Sequence, residues 1–292
     1  MADVTVSAED LASGKGAGDE NFPVASWLIS TRHRPLVMQF YRFARAADDV
    51  ADHPTASADE RLAVLNQMGE TLTGTSDTNP LARDLREGLA ARKLGVQHGL
   101  DLLAAFRLDI EKSRYADWAD LMDYCRLSAM PVGRFMLDVH GEDKALWPMS
   151  DALCAALQVI NHLQDCGDDY RDRDRVYIPA DSWQRAGLEP SCLAEAQAPE
   201  ALLREIRALA GSCEELLAKS KPFAWSVVDR RLGLEIAVIH GLAVSLTQRL
   251  LSHDPLSQRV HHQKREAFGV ATAAMARQIL RRRPVRSARA EG

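Results

Sequence analysis

The spacing of its apolar residues is the feature that most constrains how this chain can fold. From about Arg34 onward, apolar side chains recur every three or four residues along almost the whole sequence, which is the period of an amphipathic α-helix. No segment shows the strict alternation of apolar and polar residues that marks a half-buried strand. Over 292 residues this pattern predicts an all-α protein, organised as a single-domain helical bundle.

Two apolar segments indicate where long helices bend or begin. The run ADWADLMDYCRLSAMPVGRFMLDVHG contains Pro131, which removes a backbone hydrogen bond and predicts a bend between Ala129 and Gly133. The next run carries an N-cap candidate at Ser150 and is predicted to stay helical to about Tyr170.

Composition and the chain ends narrow the class of protein. The net charge of −5 gives no reason to expect nucleic acid as a partner, and the five dispersed cysteines favour neither a disulfide framework nor a structural zinc site. We recognise no signal peptide and no apolar run of the roughly 18–20 residues needed to span a bilayer. We therefore expect a cytoplasmic protein with a disordered lead over residues 1–20, a helical domain over residues 21–282 and a basic tail over residues 283–292.

Two acidic clusters lie near the ends of predicted helices. In the first, RAADDVAD, Asp48 and Asp52 are four residues apart, and Arg45 and Tyr41 precede them on the same helix face. The second is NHLQDCGDDYRDRDR. Together with the helix before it, this cluster presents one polar stripe, formed by Gln158, Asn161, Asp165 and Asp169.

These clusters have two interpretations. Short acidic patterns are common on solvated helix ends. However, carboxylates near a helix C-terminus oppose the helix dipole and repel each other, so their placement costs stability unless a cation compensates. Such oxygen ligands suit Mg²⁺, which also binds substrate phosphates, and Arg45 would add a bidentate phosphate contact. Two such helix ends facing each other would hold several Mg²⁺ ions around a diphosphate, whereas the residue order does not fit an EF-hand calcium loop.

Three blocks of the sequence resemble one known family. FYRFARAADDVAD, DYCRLSAMPVGRF and LQVINHLQDCGDDYRDRDRVYIP are similar, in order and approximate spacing, to the signature blocks of the squalene and phytoene synthases, which join prenyl diphosphates head to head. The resemblance covers roughly residues 20–255. Within the family, ENFPVAS and RYADW add a likeness to the bacterial hydroxysqualene synthases of hopanoid biosynthesis. The resemblance to the family implies an isoprenoid-synthase-type helical bundle with a central apolar cavity.

The resemblance also implies a metal site. Asp48 and Asp52 match the family's first Mg²⁺-binding motif, and the second motif corresponds to Asn161, Asp165 and Asp169. Several Mg²⁺ ions bridging the diphosphate are therefore expected as cofactor. No NADPH is expected, because no glycine-rich dinucleotide motif follows a predicted strand.

Further residues match positions that contact the substrate. The resemblance implies that Tyr41 and Arg45 help to bind and ionise the diphosphate, and that Tyr124 lies near the reacting carbons. The expected substrate-binding residues are Asn21, Phe22, Tyr41, Arg45, Gln158 and Asn161. From spacing alone, Tyr124 and Phe22 fit equally well as core aromatics, and Tyr41 as ordinary packing.

The implied reaction is the Mg²⁺-dependent conversion of presqualene diphosphate and water to hydroxysqualene and diphosphate. The cyclopropylcarbinyl cation would rearrange before water traps it. Alternatives are a presqualene diphosphate synthase, a squalene- or phytoene-type synthase that condenses two prenyl diphosphates, and a non-enzymatic scaffold.

Gln164 stands where many members carry an arginine, and Ala51 where eukaryotic squalene synthases carry a further acid. The first departure suggests altered handling of the diphosphate.

The C-terminal segment EAFGVATAAMARQILRRRP combines an apolar face with an arginine cluster. This pattern fits peripheral contact with the inner face of an anionic membrane, which would help to release a lipid product. A plain terminal helix with a basic tail fits it equally well. Association with neighbouring enzymes of the squalene pathway is a further expectation of the resemblance.

Overall fold

The computed structural model of the chain describes residues 28–281. Within that range the expected all-α architecture is confirmed, since the only strand-like pairing is one isolated bridge between Arg114 and Val176. The α-helices are α1 (Arg34–Ala51), α2 (Ala58–Thr73), α3 (Pro80–Ala91), α4 (Gln97–Glu111), α5 (Trp118–Ser128), α6 (Met130–His140), α7 (Trp147–Gln164), α8 (Cys166–Arg173), α9 (Ala180–Ala186), α10 (Glu200–Ser220), α11 (Phe223–Ser226), α12 (Arg230–Ser252) and α13 (Lys264–Leu280).

The predicted bend at Pro131 is a complete break between two helices. α5 ends at Ser128 and α6 begins at Met130, with Ala129 between them at φ −119° and ψ −47°. Pro131 occupies the first turn of α6, where its missing N–H has no helical partner to lose.

Two details of the next helix differ from the prediction. α7 begins at Trp147, so Ser150 is a buried residue of its first turn and not an N-cap. The reason is that a short 3-10 helix, Lys144–Leu146, leads directly into α7. The helical run also breaks at Asp165 before it continues as α8 to Arg173.

A cavity of about 440 Å³ lies between two apolar cores. One core is built mainly by α1–α4 with part of α6, and the other by α5 and α7–α12. The Phe40 and Phe135 rings stack at 3.8 Å between centroids on the cavity wall. Side chains from α1, α6, α7 and α12 line most of the remaining wall, and most of them are apolar.

Three helix ends meet at what we call the basal end of the bundle, defined by His33, His140 and Asp229. Their ring nitrogen and carboxylate atoms lie within 4.8 Å of one another. His33 precedes α1, His140 ends α6, and Asp229 caps α12. The buried Glu142 carboxylate accepts hydrogen bonds from the backbone N–H groups of Val228 and Asp229, at 2.8 and 2.7 Å. These contacts align the starts of α1 and α12 with the end of α6.

α12 is long and apolar enough to span a membrane by length and composition. The sequence analysis expected no segment of this kind. It nevertheless packs against α7, α10 and α13, and 44% of its most apolar window is buried. α12 is therefore built as a core helix. α13 covers one side of it without burying any residue fully.

Candidate active site

The first acidic cluster surrounds Arg45 on the last two turns of α1. The Arg45 guanidinium pairs with Asp48 at 3.0 Å and with Asp49 at 2.8 Å. Asp49 is buried, whereas Asp48 is partly exposed. Tyr41 lies one turn earlier and lines the apolar cavity. The charged end of α1 thus continues directly from the cavity wall.

The second cluster occupies the junction of α7 and α8. Gln158 and Asn161 line the cavity from α7, and Gln158 is hydrogen-bonded to the buried His162 ring at 3.0 Å. One turn after Asn161, Asp165 ends α7, and its carboxylate lies 3.2 Å from the His261 ring nitrogen. Asp169 follows one turn later in α8. The polar stripe predicted from the sequence therefore leads out of the cavity, although the helix breaks within it.

Two arginines join the clusters into one site. Arg173 lies 3.2 Å from Asp52 and 3.6 Å from Asp169, so one guanidinium contacts both acidic clusters. Arg175 pairs with the other oxygen of Asp52 at 2.6 Å and donates to the Asp109 carbonyl at 3.1 Å. The structure thus brings Asp48, Asp52, Asp165 and Asp169 to the same end of the bundle.

A tight turn at the end of α8 separates these two arginines. Asp174 has φ +49°, a left-handed conformation that non-glycine residues rarely adopt. Arg114 pairs with the Asp174 carboxylate at 2.6 Å, and Val176 N–H donates to the Ser113 carbonyl at 2.9 Å. The loop before α5 therefore holds the turn in place, and strain of this kind is often found at functional sites.

The arginines of the site do not neutralise all of the negative charge of its carboxylates. Burial, followed by the charge of Asp52, raises the pKa of Asp48 to about 7. Burial, followed by the charge of Asp165, raises the pKa of Asp169 to about 7. Burial likewise raises the pKa of Asp109 to about 6. Carboxylates that resist ionisation in this way would be stabilised by an added cation.

Asp109 belongs to an aromatic cluster that no sequence pattern pointed to. The Tyr124 hydroxyl donates to Asp109 at 3.1 Å, and the Tyr124 ring lies 5.3 Å from Tyr115 and 5.8 Å from Tyr177. Tyr124 is buried among these rings and does not itself line the apolar cavity. Its link to the charged site runs through Asp109 and Arg175.

Sequence reasoning missed four site residues: Asp109, Arg173, Arg175 and His261. Both arginines lie in the block DDYRDRDRVYIP, and their basic character was the available signal. Asp109 and His261 carry no such signal, because each comes from an unrelated helix or loop. Asn21 and Phe22 lie outside the described residues.

The donor set fits Mg²⁺. Asp48, Asp52, Asp165 and Asp169 offer carboxylate oxygens, and Asn161 on the same side offers an amide oxygen. Oxygen ligands are the preference of Mg²⁺, which needs only a few from the protein. The basal cluster of His33, His140 and Asp229 differs, since two of its three groups are imidazoles and it lies at the opposite end of α1.

Gln164, the last residue of α7, is buried, and its amide nitrogen has no hydrogen-bond partner within residues 28–281. Arg173, at the end of α8, and Arg175, in the turn after it, supply positive charge to the site. The site therefore has cations even though position 164 is a glutamine. Ala51, the last residue of α1, is also buried.

Replacing Asp169 by asparagine should stabilise the metal-free protein at high pH. The folded state keeps the Asp169 proton up to about pH 7, whereas a free aspartate loses it near 3.8, so stability falls as pH rises through that window. Asp169→Asn removes this titration. In EDTA at pH 8 we expect it to be more stable than wild type by about 1–2 kcal/mol, a discounted value for a partly solvated group. Urea denaturation measures the difference, which should vanish near pH 4.

Asp168→Asn is the matched control on the same helix. The Asp168 side chain is 70% exposed, and its one ion pair within residues 28–281 is with Arg171, so its replacement should leave stability at pH 8 almost unchanged. An equal gain in stability for the two variants, or no gain for Asp169→Asn, would contradict the conclusion that ionisation of Asp169 destabilises the metal-free protein.

Comparison with known proteins gives a consistent result. The family model for squalene/phytoene synthase matches residues 16–266. A hydroxysqualene synthase of Zymomonas mobilis is 53% identical over 273 residues, which cover 93% of this chain and 92% of that protein. A hydroxysqualene synthase of Rhodopseudomonas palustris is 49% identical, with 94% of each chain covered.

Solved structures agree on the fold. The squalene synthase HpnC from Alicyclobacillus acidocaldarius superimposes with a TM-score of 0.65 at 29% identity, over 78% of this chain and 88% of that one. A dehydrosqualene synthase gives a TM-score of 0.73 over 89% and 92% of the two chains, and its 20% identity supports the fold alone. The resemblance of the three sequence blocks is confirmed, and the chain belongs to the squalene/phytoene synthase family.

Proposed function

We propose that this enzyme converts presqualene diphosphate and water to hydroxysqualene and diphosphate, with Mg²⁺ as cofactor, as a protein of the cytoplasm. Relatives named hydroxysqualene synthase are 47–53% identical to it over at least 90% of the chain. The structural observation that carries the proposal is a site of carboxylates and arginines that opens directly into an apolar cavity. This pairing suits a substrate with a charged head and a long hydrocarbon body.

The charged end would bind and ionise the diphosphate. Arg45, Arg173 and Arg175 offer guanidinium groups, which match phosphate oxygens in a bidentate manner. Each is already paired with a carboxylate, so substrate binding would exchange one anion for another at little desolvation cost. Mg²⁺ ions, when bound, would neutralise the leaving diphosphate. The residues proposed to hold them are Asp48, Asp52, Asn161, Asp165 and Asp169.

The apolar cavity would shelter the carbocation that ionisation leaves behind. Its apolar walls would keep bulk water away from a bound substrate, and that water would otherwise trap the cation before it rearranges. The stacked Phe40 and Phe135 rings offer π faces to positive charge. Tyr41, Gln158 and Asn161 line the cavity next to the charged site, where they would contact the reacting end of the substrate. Tyr124 would act indirectly, because its hydroxyl would orient Asp109.

Incubation of purified protein with presqualene diphosphate tests this function. With Mg²⁺ we expect hydroxysqualene as the main lipid product and one diphosphate released per alcohol formed. In EDTA we expect neither product, because the leaving group lacks its counter-charge. Mass spectrometry of the extracted lipid and a diphosphate assay provide the two measurements.

Farnesyl diphosphate alone is the matched control substrate. Formation of presqualene diphosphate from it would favour the alternative of a condensing synthase. Squalene or a desaturated hydrocarbon without alcohol, from presqualene diphosphate, would contradict the proposal.

We further propose that α13 rests on an anionic membrane surface. Phe268 and Ile279 are each 71% exposed, and their separation of 11 residues places them on one side of the helix. Lys264 and Arg265 flank this side at the start of α13 and are exposed. Exposed aromatic and aliphatic groups beside cationic ones are typical of helices that lie in a membrane interface.

Flotation with vesicles that contain anionic lipid tests this contact. We expect wild-type protein to float with the vesicles, and the double variant Phe268→Asp/Ile279→Asp to lose most of that binding. Ala208→Asp/Ala218→Asp, which places the same two charges at exposed positions on α10, is the matched control and should bind normally. Equal flotation of all three proteins would remove the proposal.

A further inference from the structure

A second cavity lies between α12 and α13. Within the described part of the chain it shares no lining residue with the apolar cavity. Its volume is about 750 Å³, which is within the range of sites that bind small molecules. Its walls come mainly from α11, α12 and α13, and most of the side chains that line it are apolar, among them Trp225, Ala237, Val244, Val270 and Leu280. We call this cavity the α12–α13 groove.

Three cations line the α12–α13 groove. Lys221, Arg277 and Arg281 are exposed side chains of its wall, and the Arg281 guanidinium lies 3.6 Å from the centroid of the Trp225 ring. Within residues 28–281, no acidic side chain lines the groove and none of the three cations forms an ion pair with a carboxylate. Positive charge that the protein leaves unbalanced in this way attracts an anion from solution.

The cations and part of the apolar lining are separated along the groove. The Gln278 side chain donates to the Ala224 carbonyl at 2.7 Å, which brings the last turn of α13 beside α11. Val270 lies 11 residues before Arg281, or about 16 Å along α13, and it lines the groove together with Val244 of α12. The groove thus combines a cationic end with an elongated apolar wall. This combination suits an amphiphile that has an anionic head and a hydrocarbon chain.

We propose that the α12–α13 groove binds one membrane phospholipid with an anionic head group. The lipid phosphate would lie among the three cations, and one acyl chain would lie against the apolar wall. This inference rests on the proposed contact of α13 with an anionic membrane. Leu280 lines the groove and is 80% exposed, and it follows Ile279 of the membrane-contacting side, so the groove opens toward the proposed lipid surface. Trp225 beside the cations fits this position, because tryptophan is favoured at the level of lipid head groups.

Charge and polarity disfavour the other occupants of the groove. Residues 282–292 contain four arginines and one glutamate, so repulsion between like charges opposes binding of this segment beside the three cations. Hydroxysqualene carries no charge and would leave the cations without an anion. A free diphosphate would pair with the cations but would leave the apolar wall in contact with water. An anionic phospholipid satisfies both parts of the groove.

Titration with dihexanoyl phosphatidylglycerol below its micelle concentration tests the site, because a monomeric lipid reports on the groove without a membrane surface. We expect saturable binding of one lipid per chain by calorimetry, and a change in tryptophan fluorescence that Trp225→Phe abolishes. Arg277→Glu/Arg281→Glu should weaken binding by about tenfold or more, because attraction to the phosphate becomes repulsion. Lys264→Glu/Arg265→Glu makes the same charge change at the other end of α13. This matched control should bind the monomeric lipid as wild type does.

Ala273→Trp tests the apolar part of the groove. Ala273 is exposed and lines the groove, so a bulky side chain there should fill the space of the acyl chain and weaken binding about tenfold. Dihexanoyl phosphatidylcholine, which has the same chains and no net charge, should also bind about tenfold more weakly.

Equal binding of the two lipids, or wild-type affinity in either groove variant, would overturn the inference. A Trp225 fluorescence response to inorganic diphosphate or farnesyl diphosphate as strong as that to the lipid would also overturn it. Flotation of wild-type protein with anionic vesicles, without saturable binding of the monomeric lipid, would overturn this inference alone. If wild-type protein does not float, the proposed membrane contact fails and this inference fails with it.

Discussion

The contact of Arg173 with Asp52 and Asp169 is the interaction on which the rest of the site depends. It joins carboxylates that are 117 residues apart in the sequence, one at the end of α1 and one in α8. Without such cations, the converging carboxylates would repel each other. Burial, and after it the charge of a neighbouring aspartate, raises the pKa of both Asp48 and Asp169. The helices that carry these groups must therefore be held together by packing elsewhere. The two apolar cores do this.

Charge is distributed along the bundle in a way that fits the proposed chemistry. Carboxylates and arginines gather at one end, and the adjoining cavity is almost entirely apolar. A diphosphate would thus stay in polar surroundings while its hydrocarbon part would lie in the apolar cavity. Among the described residues that line the cavity, the buried Glu235 of α12 is the one acidic side chain.

Much of the fold was predictable from the sequence, because helical periodicity depends on local residue spacing. The all-α class, the break near Pro131 and the adjacency of Asp48 to Arg45 all follow from that spacing. The start of α7 was not predictable from Ser150, since a preceding 3-10 helix displaces the boundary. Asp109 and His261 reach the site through tertiary packing alone. Glu235 looked like one polar residue in an apolar helix until the structure showed which side of α12 lines the cavity.

The central claim is that the two acidic clusters form one metal–diphosphate site. Crystals grown with Mn²⁺ and inorganic diphosphate test it most directly, because anomalous scattering locates the metal ions without reference to activity. We predict ions bridging a diphosphate between Asp48 or Asp52 on one side and Asp165 or Asp169 on the other, with Arg173 turned toward phosphate oxygens. Ions bound only at His33, His140 and Asp229, or a diphosphate held by one acidic cluster alone, would contradict the account.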